Sequence, residues 1–252
     1  MEQYVLSPFA SSQQAEWDIF VNEHPQGHLL QSWSWGELKT GANWHPLRLA
    51  LRENHDGKIV AAAQVLRRTA LHLPPRLGHL AYVPKGPVLD WSASTADGTS
   101  LARLFLLKLR AFLRGQGTLA LQIEPGLQTG TAESQAALLC LQKLGFHATS
   151  AIQPARTILL NIEPDEETLL AQMKEKWRYN VRLAARKGVE VREARTFEEL
   201  RAWYGLLQTT GERDQFGIHT LDYYRKIWEI LVPRQQARLF LAWADKELLA
   251  GI

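Results

Sequence analysis

The spacing of apolar and polar positions divides the first part of the chain into short helices and strands. Apolar residues recur at three- and four-residue intervals in four segments, which predicts helices. Continuous or alternating apolar runs predict strands, and Asp56-Gly57 between two of these runs favours a tight hairpin turn. Predicted helices span 11–23, 31–39, 99–114 and 133–144, and predicted strands span 45–53, 58–67, 118–124 and 155–163, with a further strand starting at 77 and stopped by Pro84, Gly86 and Pro87. Hairpins come first and a helix-connected strand comes last, so we predict a mixed α/β fold.

From residue 164 the pattern favours longer helices. Three acidic residues at 165–167 suit the positive end of a helix dipole, and the helical pattern continues to 187, before Gly188. Thr196 and Glu199 form a capping-box sequence ahead of the next helix. The remaining predicted elements are a short strand after Gly188, a helix at 219–231, and a hairpin with strands at 238–244 and 247–252.

The final hairpin resembles the first one. With one gap, Arg, Leu, Leu, Asp and Ala coincide at positions 48/238, 49/239, 51/241, 56/245 and 61/250. Hairpins share patterning, so these matches could arise by chance, but in both places the hairpin follows two predicted helices. We therefore infer an internal duplication with domains 1–163 and 164–252. By analogy with the first domain, we expect the second to be truncated at its C-terminal end and to lack about ninety residues.

Composition restricts the class of protein. Of the 252 residues, 46% are apolar and 22% are charged, which excludes a disordered or fibrous protein. Cys140 is the single cysteine, so no internal disulfide can form, and we expect a buried thiol in a reducing compartment. The N-terminus has no signal-peptide pattern and no apolar run is long enough to span a bilayer. The sequence therefore predicts a soluble cytoplasmic protein.

Positive charge is concentrated on the long helix. Between 174 and 195 there are eight Lys or Arg against three Glu, whereas the whole chain has a net charge of +3. Lys174, Arg178, Arg182 and Arg186 follow four-residue spacing, beside an apolar stripe at the positions just before them. A solvated helix face is one interpretation. The alternative is a surface for phosphate or carboxylate groups, which guanidinium groups bind with two parallel hydrogen bonds.

Three other segments carry candidate chemistry. QSWSWGELK at 31–39 combines two Trp with Lys39, although both Trp are also suitable core residues. YVPKGPVLD contains a Pro- and Gly-punctuated loop with Lys85 and Asp90, and GERDQF precedes the pair Tyr223 and Tyr224. Motifs of P-loop, α/β-hydrolase and zinc-protease type are absent from the sequence. The string QTTGER does not match the pyrophosphate loop of coenzyme A acyltransferases, and Pro25 and Gly27 interrupt the spacing of His24 and His28, so we predict no metal site.

Together and in this order, these segments resemble the FemABX family of peptidoglycan-bridge aminoacyltransferases. The matching pieces are QSWSWGELK, PKGPV, KEKWRYNVRLAARKGV, GERDQF with the following YY, and LFLAWADKELLAGI. The resemblance implies two fused GNAT-type acyltransferase domains, of which the first binds the precursor. It implies transfer of an amino acid from aminoacyl-tRNA to the stem peptide of lipid II or UDP-MurNAc-pentapeptide, in cell-wall biogenesis and maintenance of cell shape. It implies no metal and no coenzyme, and peripheral contact with the inner face of the membrane.

The same resemblance implies a precursor site. It assigns Lys39, Arg178, either Tyr223 or Tyr224, and, more weakly, Asp90. Arg182 stands where the family places a Tyr one turn after the helix Arg, so we include it in the site. The sequence identifies no general base, and it does not identify the amino acid transferred.

Two other functions remain open at this stage. One is an acyltransferase of the same fold that uses acyl-coenzyme A or another donor on a different amine, for example in exopolysaccharide synthesis. The other is a non-catalytic RNA-binding protein that uses the basic helix. The modest total charge and the lack of aromatic RNA-binding strands argue against the second.

Overall fold

The computed structural model describes residues 3–40, 43–69, 78–96, 98–154 and 156–252. The chain divides into two compact units, Met1–Ala155 and Arg156–Ile252, which we call unit 1 and unit 2. The boundary predicted from the sequence, between 163 and 164, lies inside unit 2. The predicted strand positions at 77 and 155 lie outside the described residues.

Unit 1 contains six strands and four α-helices in its described ranges. The strands are β1 (Tyr4–Pro8), β2 (His45–Glu53), β3 (Ile59–Thr69), β4 (His79–Pro84), β5 (Val88–Leu89) and β6 (Thr118–Glu124). The helices are α1 (Gln14–Glu23), α2 (Trp33–Lys39), α3 (Leu101–Gly115) and α4 (Ala132–Lys143), and two 3₁₀ turns at Ser11–Gln13 and Leu29–Gln31 precede α1 and α2. The sequence pattern missed β1, whose five residues carry little alternation.

The strands of unit 1 form one mixed sheet in the order β1-β2-β3-β4-β6, with β5 paired to β3. Neighbours are antiparallel except β4 and β6, which run parallel and pair from His79↔Thr118 to Pro84↔Glu124. Parallel strands need a crossover connection, and α3 lies in the chain between them. The carboxyl ends of β4 and β6 therefore meet at one end of the sheet.

Each face of this sheet is covered by a pair of helices. Alternate residues such as Leu49 and Leu51 pack with Phe105 and Leu109 of α3 in the larger core. The residue between them, Ala50, faces the other way and packs with the fully buried Trp17 of α1. This period-two alternation is what a sheet buried on both faces requires, and it places α2 against the face opposite α3.

Unit 2 begins with two helices, α5 (Glu166–Gln172) and α6 (Glu175–Arg186). They are followed by β7 (Glu190–Glu193), α7 (Phe197–Asp214), α8 (Leu221–Leu231), β8 (Phe240–Ala244) and β9 (Glu247–Gly251). The strands form an antiparallel sheet in the order β7-β8-β9. Its core is small and centres on Leu200, Leu239 and Leu241, with Trp203 and Trp228 packed around them.

Two predictions for this region are wrong. The helix expected over 165–187 is broken at Met173 and Lys174, so Lys174 caps α6 instead of lying inside one long helix. The strand expected over 155–163 does not form, because 156–163 have no regular secondary structure and no neighbouring strand pairs with them. Ile158 and Leu159 are 95% and 89% exposed there, so the apolar run alone did not produce a strand.

The predicted mixed α/β class is confirmed, and the two sheets fit a tandem arrangement. In unit 1 the chain runs β1-α1-α2-β2-β3, and in unit 2 it runs β7-α7-α8-β8-β9. In both cases the three strands pair antiparallel in the same order. None of the helices in the described ranges combines the length and the apolar character needed to span a bilayer.

Candidate functional site

Lys39 is the last residue of α2. Ser32 caps this helix, because its hydroxyl accepts a hydrogen bond from the amide of Trp35 at 3.2 Å. The ammonium nitrogen of Lys39 lies 4.7 Å from the centre of the Trp35 ring, one turn earlier. Lys39 is half-buried. The Trp35 ring therefore stabilises the positive charge of a side chain that is still partly open to solvent.

A buried pair of glutamines fastens the start of α2 to the sheet. The side-chain oxygen of Gln31 accepts from the amide of Gln64 at 2.7 Å, and its Nε2 donates to the carbonyl of Pro84 at 2.6 Å. Gln64 in turn donates from Nε2 to the carbonyl of Ser32 at 2.9 Å. Both glutamines are fully buried. Because buried amides are costly when unpaired, this pairing fixes α2 relative to β3 and β4.

Arg48 of β2 lies beneath the same helix. Its Nη2 donates to the carbonyl of Trp33 at 2.7 Å, and its guanidinium carbon lies 3.6 Å from the centre of the Trp33 ring. Burial lowers the pKa of Arg48 to about 10, so the side chain is still charged at neutral pH. Gly36 makes this close approach possible, since a β-carbon there would lie 2.4 Å from Nη2 of Arg48.

The loop between β4 and β5 is held by residues on both sides. Gly86 donates its amide hydrogen to the carbonyl of Glu124 at 3.2 Å. Lys85, just before it, has φ of +47°, in the left-handed region. Desolvation lowers the pKa of His28, and the positive charge of Lys85 lowers it further.

Asp90 follows β5 and shapes a turn. Its Oδ1 accepts from the hydroxyl of Ser92 at 2.6 Å and from the amides of Ser92 and Ala93 at 2.8 and 3.1 Å. The hydrogen bond from the Ser92 side chain is the main reason that the pKa of Asp90 is lowered. Asp90 is exposed, so this carboxylate organises its own loop and also faces solvent.

Arg178 of α6 closes the break between α5 and α6. Its Nη1 donates to the carbonyls of Leu170, Ala171 and Met173 at 3.3, 2.9 and 3.1 Å. The carbonyl of Leu170 also accepts from the amide of Met173 at 3.2 Å, and Arg178 adds a donor where the backbone hydrogen bonds of α5 come to an end. All three bonds use Nη1, so the fork formed by Nε and Nη2 has no partner among the described residues. Arg182, one turn later, is exposed.

Tyr223 and Tyr224 lie near the start of α8 in different surroundings. The ring of Tyr224 packs edge-on against Trp203 at 5.1 Å between centres and lies 5.8 Å from Tyr204. The ring of Tyr223 lies 4.1 Å from His219. Desolvation is the main cause that raises the pKa of Tyr224, which fits its position beside the core of unit 2.

A polar cluster at the end of β6 was not predicted from the sequence. The carboxylate of Glu124 accepts from the hydroxyl of Tyr82 at 2.8 Å and from the amides of Ile152 and Gln153 at 2.6 and 3.1 Å. Burial alone would raise the pKa of Glu124, but these hydrogen bonds outweigh it and the pKa is lowered. The partners lie 28 to 42 residues away in the chain, so no local pattern reveals them.

One trio among the described residues has side chains that metals bind. Glu53, His55 and Asp56, at the turn between β2 and β3, place one ligand atom each within 4.8 Å of one another. His55 pairs with Glu53 at 3.5 Å and with Asp56 at 3.3 Å. These short contacts lie in the turn between β2 and β3, where His55 and Asp56 are exposed.

The predicted site residues thus fall in both units. Lys39 and Asp90 belong to unit 1, on separate elements. Arg178 and Arg182 are neighbours on α6, and Tyr223 and Tyr224 are neighbours on α8, all four in unit 2. Their roles in binding a precursor stay predictions.

Comparison with known proteins gives a consistent set of relatives. The family model described as "FemAB family" matches residues 12–248. The lipid II:glycine glycyltransferase of Staphylococcus saprophyticus is 33% identical over 232 residues, which are 89% of this chain and 53% of that protein. Its counterpart in Staphylococcus aureus strain COL is 31% identical over 246 residues, or 94% of this chain and 55% of that protein.

A solved structure shows the same fold. The crystal structure of FemX superposes with a TM-score of 0.80 at 28% sequence identity, and covers 96% of this chain and 57% of that chain. The chain therefore spans about half the length of the relatives that it matches.

Proposed function

The chain belongs to the FemAB family, and on that basis we propose that it acts in aminoacyl transfer to a peptidoglycan precursor. In this proposal an amino acid moves from aminoacyl-tRNA to the stem peptide of lipid II or UDP-MurNAc-pentapeptide, as a step in forming the interpeptide bridge. The family match over residues 12–248 carries the proposal. The curated relatives named lipid II:glycine glycyltransferase support it.

The chemistry asks for positioning more than for a covalent nucleophile. A neutral amine of the stem peptide attacks the ester carbonyl of the aminoacyl-tRNA. A C–N bond forms, the C–O ester bond breaks, the amine loses a proton, and the tRNA hydroxyl leaves with one. An ester is already activated toward amines, so holding the two substrates together supplies much of the rate. We therefore propose that the reaction requires neither a metal nor a coenzyme.

The proposed acceptor site uses cations for the anionic groups of the precursor. Lys39 offers an ammonium group at the rim of unit 1. Arg178 offers the fork of Nε and Nη2, because Nη1 is engaged with the end of α5. Such a fork matches phosphate and carboxylate oxygens with two parallel hydrogen bonds. Arg182 adds a second exposed guanidinium on the same helix.

The remaining residues of the proposed site orient the peptide. Tyr223 suits this role better than Tyr224, because Tyr224 packs among Trp203 and Tyr204 beside the core. Asp90 is proposed to contact the acceptor through its exposed carboxylate. We also propose a cytoplasmic location and peripheral contact with the inner face of the membrane, since an acceptor of the lipid II type is a lipid.

A product analysis tests the reaction. The protein is incubated with UDP-MurNAc-pentapeptide and a mixture of aminoacyl-tRNAs, and the acceptor is analysed by mass spectrometry. We expect an added mass of one amino acid residue on the stem peptide, whose value identifies the residue transferred. Uncharged tRNA is the control and should give no addition. An unmodified stem peptide with charged tRNA would refute the proposed reaction.

A substitution tests the acceptor site. We expect Arg178→Ala to weaken binding of UDP-MurNAc-pentapeptide at least about tenfold, as measured by calorimetry, since one charge-assisted contact amounts to about 1.4 kcal/mol or more. It should also lower the free energy of unfolding by about 1 kcal/mol, because the carbonyls at the end of α5 lose their donor. Lys176→Ala removes one positive charge from the same helix and should leave binding within about twofold of wild type. Equal binding by Arg178→Ala and wild type would remove Arg178 from the site.

A further inference from the structure

The charged residues of α3 are all positive. The helix, Leu101–Gly115, contains four Lys or Arg and no Asp or Glu. Arg103, Arg110 and Arg114 are exposed. Separations of seven and eleven residues place these three arginines on one face of the helix, in a row that spans about 16 Å along its axis.

Arg103 stands where a cation weakens a helix. It is the third residue of α3, and the hydroxyl of Ser100 accepts from its amide at 3.3 Å. The first turn is the positive end of the helix dipole, where a carboxylate is stabilising and a cation is not. Arg114 lies in the last turn, where a cation is favourable. Helix stability therefore accounts for Arg114 but not for Arg103, whose charge indicates a role outside folding.

The end of α4 adds a fourth exposed cation. Nη1 of Arg110 donates to the carbonyl of Leu144 at 3.0 Å, and Lys143 is the residue just before Leu144. The basic face, as we define it, consists of four exposed cations, which are Arg103, Arg110, Arg114 and Lys143.

No carboxylate of the described residues forms an ion pair with the basic face. The ion pairs in those ranges involve other side chains. Glu133 is the single acidic residue of α4, and it lies near the other end of that helix, where its carboxylate accepts from Nε2 of Gln26 at 2.8 Å. Four like charges on one surface repel each other, and an anionic partner relieves this repulsion.

A cleft opens beside the basic face, at the amino end of β6. Its volume is about 670 Å³, and Arg110 and Arg114 line it together with Phe146 and His147. Arg110 uses Nη1 for the carbonyl of Leu144, so its Nε and Nη2 are left for a ligand. Guanidinium groups bind phosphate oxygens with two parallel hydrogen bonds. The half-buried ring of Phe146 offers a surface on which a ribose or a base packs.

The extent of the basic face favours an extended polyanion over a small anion. A nucleic acid strand presents phosphates at regular intervals along such a row. A membrane surface is also an extended polyanion, but an interfacial helix inserts its apolar side, and that side of α3 is buried in the larger core through Phe105 and Leu109. The large apolar residues that α3 and α4 do expose are Leu138 and Leu139 of α4, so the experiment below includes vesicles.

We propose that the basic face binds the sugar–phosphate backbone of the donor tRNA, outside its aminoacylated 3′ end. This inference rests on the proposed function, in which aminoacyl-tRNA is the donor. Lys39 and Asp90 of the proposed acceptor site lie on other elements of unit 1. The residues of the basic face are therefore binding residues that act on affinity for the donor.

Fluorescence anisotropy with labelled, uncharged total tRNA tests this across a series of salt concentrations. One variant, Arg110→Gln with Arg114→Gln, removes two charges and keeps long polar side chains. A second variant, Arg103→Glu, reverses one charge. The matched control is Lys58→Gln with Lys226→Gln, which removes two charges from exposed lysines outside the basic face. Flotation with vesicles that contain phosphatidylglycerol tests a membrane as the partner.

We expect the double arginine variant to bind tRNA at least about tenfold more weakly than wild type at equal salt concentration. The slope of log Kd against log salt should become shallower by about 1.4 to 1.8, because two fewer phosphates release their counterions. Arg103→Glu should also bind at least about tenfold more weakly, although its urea midpoint should be no lower than that of wild type, since a carboxylate suits the first turn. The control should stay within about twofold of wild type.

Four results would overturn the inference. The first is the absence of tRNA binding by wild type, and the second is equal binding by the double arginine variant and the control. The third is a lower urea midpoint for Arg103→Glu, which would make this arginine a structural residue. The fourth is loss of vesicle binding with unchanged tRNA binding in the double arginine variant, which would make the partner a membrane.

A transfer assay separates this inference from the proposed function. If the double arginine variant transfers an amino acid with the wild-type KM for aminoacyl-tRNA, the basic face is not the tRNA site and the function stands. If wild type transfers nothing but its binding of tRNA depends on Arg110 and Arg114, the tRNA site stands and the proposed reaction fails.

Discussion

The two units share one arrangement of elements and differ in how it is buried. In each, a strand and two helices precede a hairpin, and the three strands pair antiparallel in the same order. Unit 1 adds β4, β6, α3 and α4, so both faces of its sheet are covered and two cores form. Unit 2 has a three-stranded sheet with one small core. The comparison shows that the local sequence pattern determines which helices and strands form. The additional helices and strands packed around them determine how much of their surface is buried.

The units also differ in their use of polar groups. Among the residues that the structure describes, the seven buried polar or charged ones all lie in unit 1, and they are Gln31, Ser32, Ser34, Arg48, Gln64, His79 and Thr95. In unit 2 the polar contacts of the described residues lie at or near the surface, as in the pair of Arg192 and Glu199. The buried hydrogen bonds of Gln31, Gln64 and Arg48 restrict the geometry of unit 1, although Oε1 of Gln64 and Nε of Arg48 are buried without a partner.

The largest effect we expect comes from a matched pair of core leucines. Leu51 and Leu241 occupy corresponding hairpin positions and are both fully buried. We expect Leu51→Ala to lower the free energy of unfolding by about 4 kcal/mol and Leu241→Ala by about 3 kcal/mol, since a small core can relax around a cavity more easily than a large one.

Hydrogen exchange followed by mass spectrometry reports each unit separately and is the measurement for this pair. Leu51→Ala should increase exchange in β2 and β3, and Leu241→Ala should do so in β8 and β9. A greater loss from Leu241→Ala than from Leu51→Ala would show that the covering helices of unit 1 do not restrain its core as we infer.

A smaller contrast is expected at the helix caps. Ser32 is buried and accepts from the amide of Trp35 at 3.2 Å, whereas Thr196 is exposed and accepts from the amide of Glu199 at 3.3 Å. We expect Ser32→Ala to cost about 2 kcal/mol and Thr196→Ala about 1 kcal/mol, because a buried donor without a partner is not rescued by water. Urea unfolding of the two variants measures the difference. The conservative variants Ser32→Thr and Thr196→Ser should recover part of each loss in the free energy of unfolding. If the two alanine variants lost equal stability, burial of the cap would not matter as we expect.

The smallest effect concerns acid stability. Glu16 of α1 pairs with Arg52, and Glu199 of α7 pairs with Arg192. The hydrogen bond from Arg192 is the main cause that lowers the pKa of Glu199 to about 2. A lowered pKa means that the contribution to stability is present above the ordinary value of 4.5 and is lost as pH falls through about 2.

We therefore expect Glu199→Gln to be less stable than wild type at pH 7, by less than about 1 kcal/mol for a pair this close to solvent. The difference should shrink as pH falls below 4.5 and vanish only below about pH 2. In an NMR titration Glu199 should ionise at a lower pH than Glu16. If the two carboxylates titrated together, the stronger pairing in unit 2 would be disproved.

Much of the fold could be predicted from local pattern. The strand at 118–124 has the predicted bounds, and the capping box of Thr196 and Glu199 forms with both of its hydrogen bonds. These features depend on residues a few positions apart. Their periodicity and side-chain chemistry can be recognised directly in the sequence. Of the aligned positions, 49/239 and 51/241 are buried in both units, whereas Ala61 is buried and Ala250 is exposed, so the duplication stays a prediction.

The failed predictions depend on contacts that local periodicity does not encode. The break after Gln172 is closed by Arg178, and the helical spacing gave no sign of it. The apolar run at 157–162 has strand composition but no strand beside it in the described structure. The network of Gln31 and Gln64 joins residues 33 apart in the chain. Sequence reasoning placed Lys39 on the correct helix but could not show what fixes that helix to the sheet.

Gly36 makes three distant positions depend on one another. A β-carbon there would meet Oε1 of Gln64 at 2.3 Å and Nη2 of Arg48 at 2.4 Å. A substitution of Gly36, Arg48 or Gln64 should therefore be tolerated during evolution only together with substitutions at the other two positions. Among homologues, the joint presence of this glycine, arginine and glutamine should mark chains in which α2 is seated as it is here, and chains that lack one of them should differ at all three.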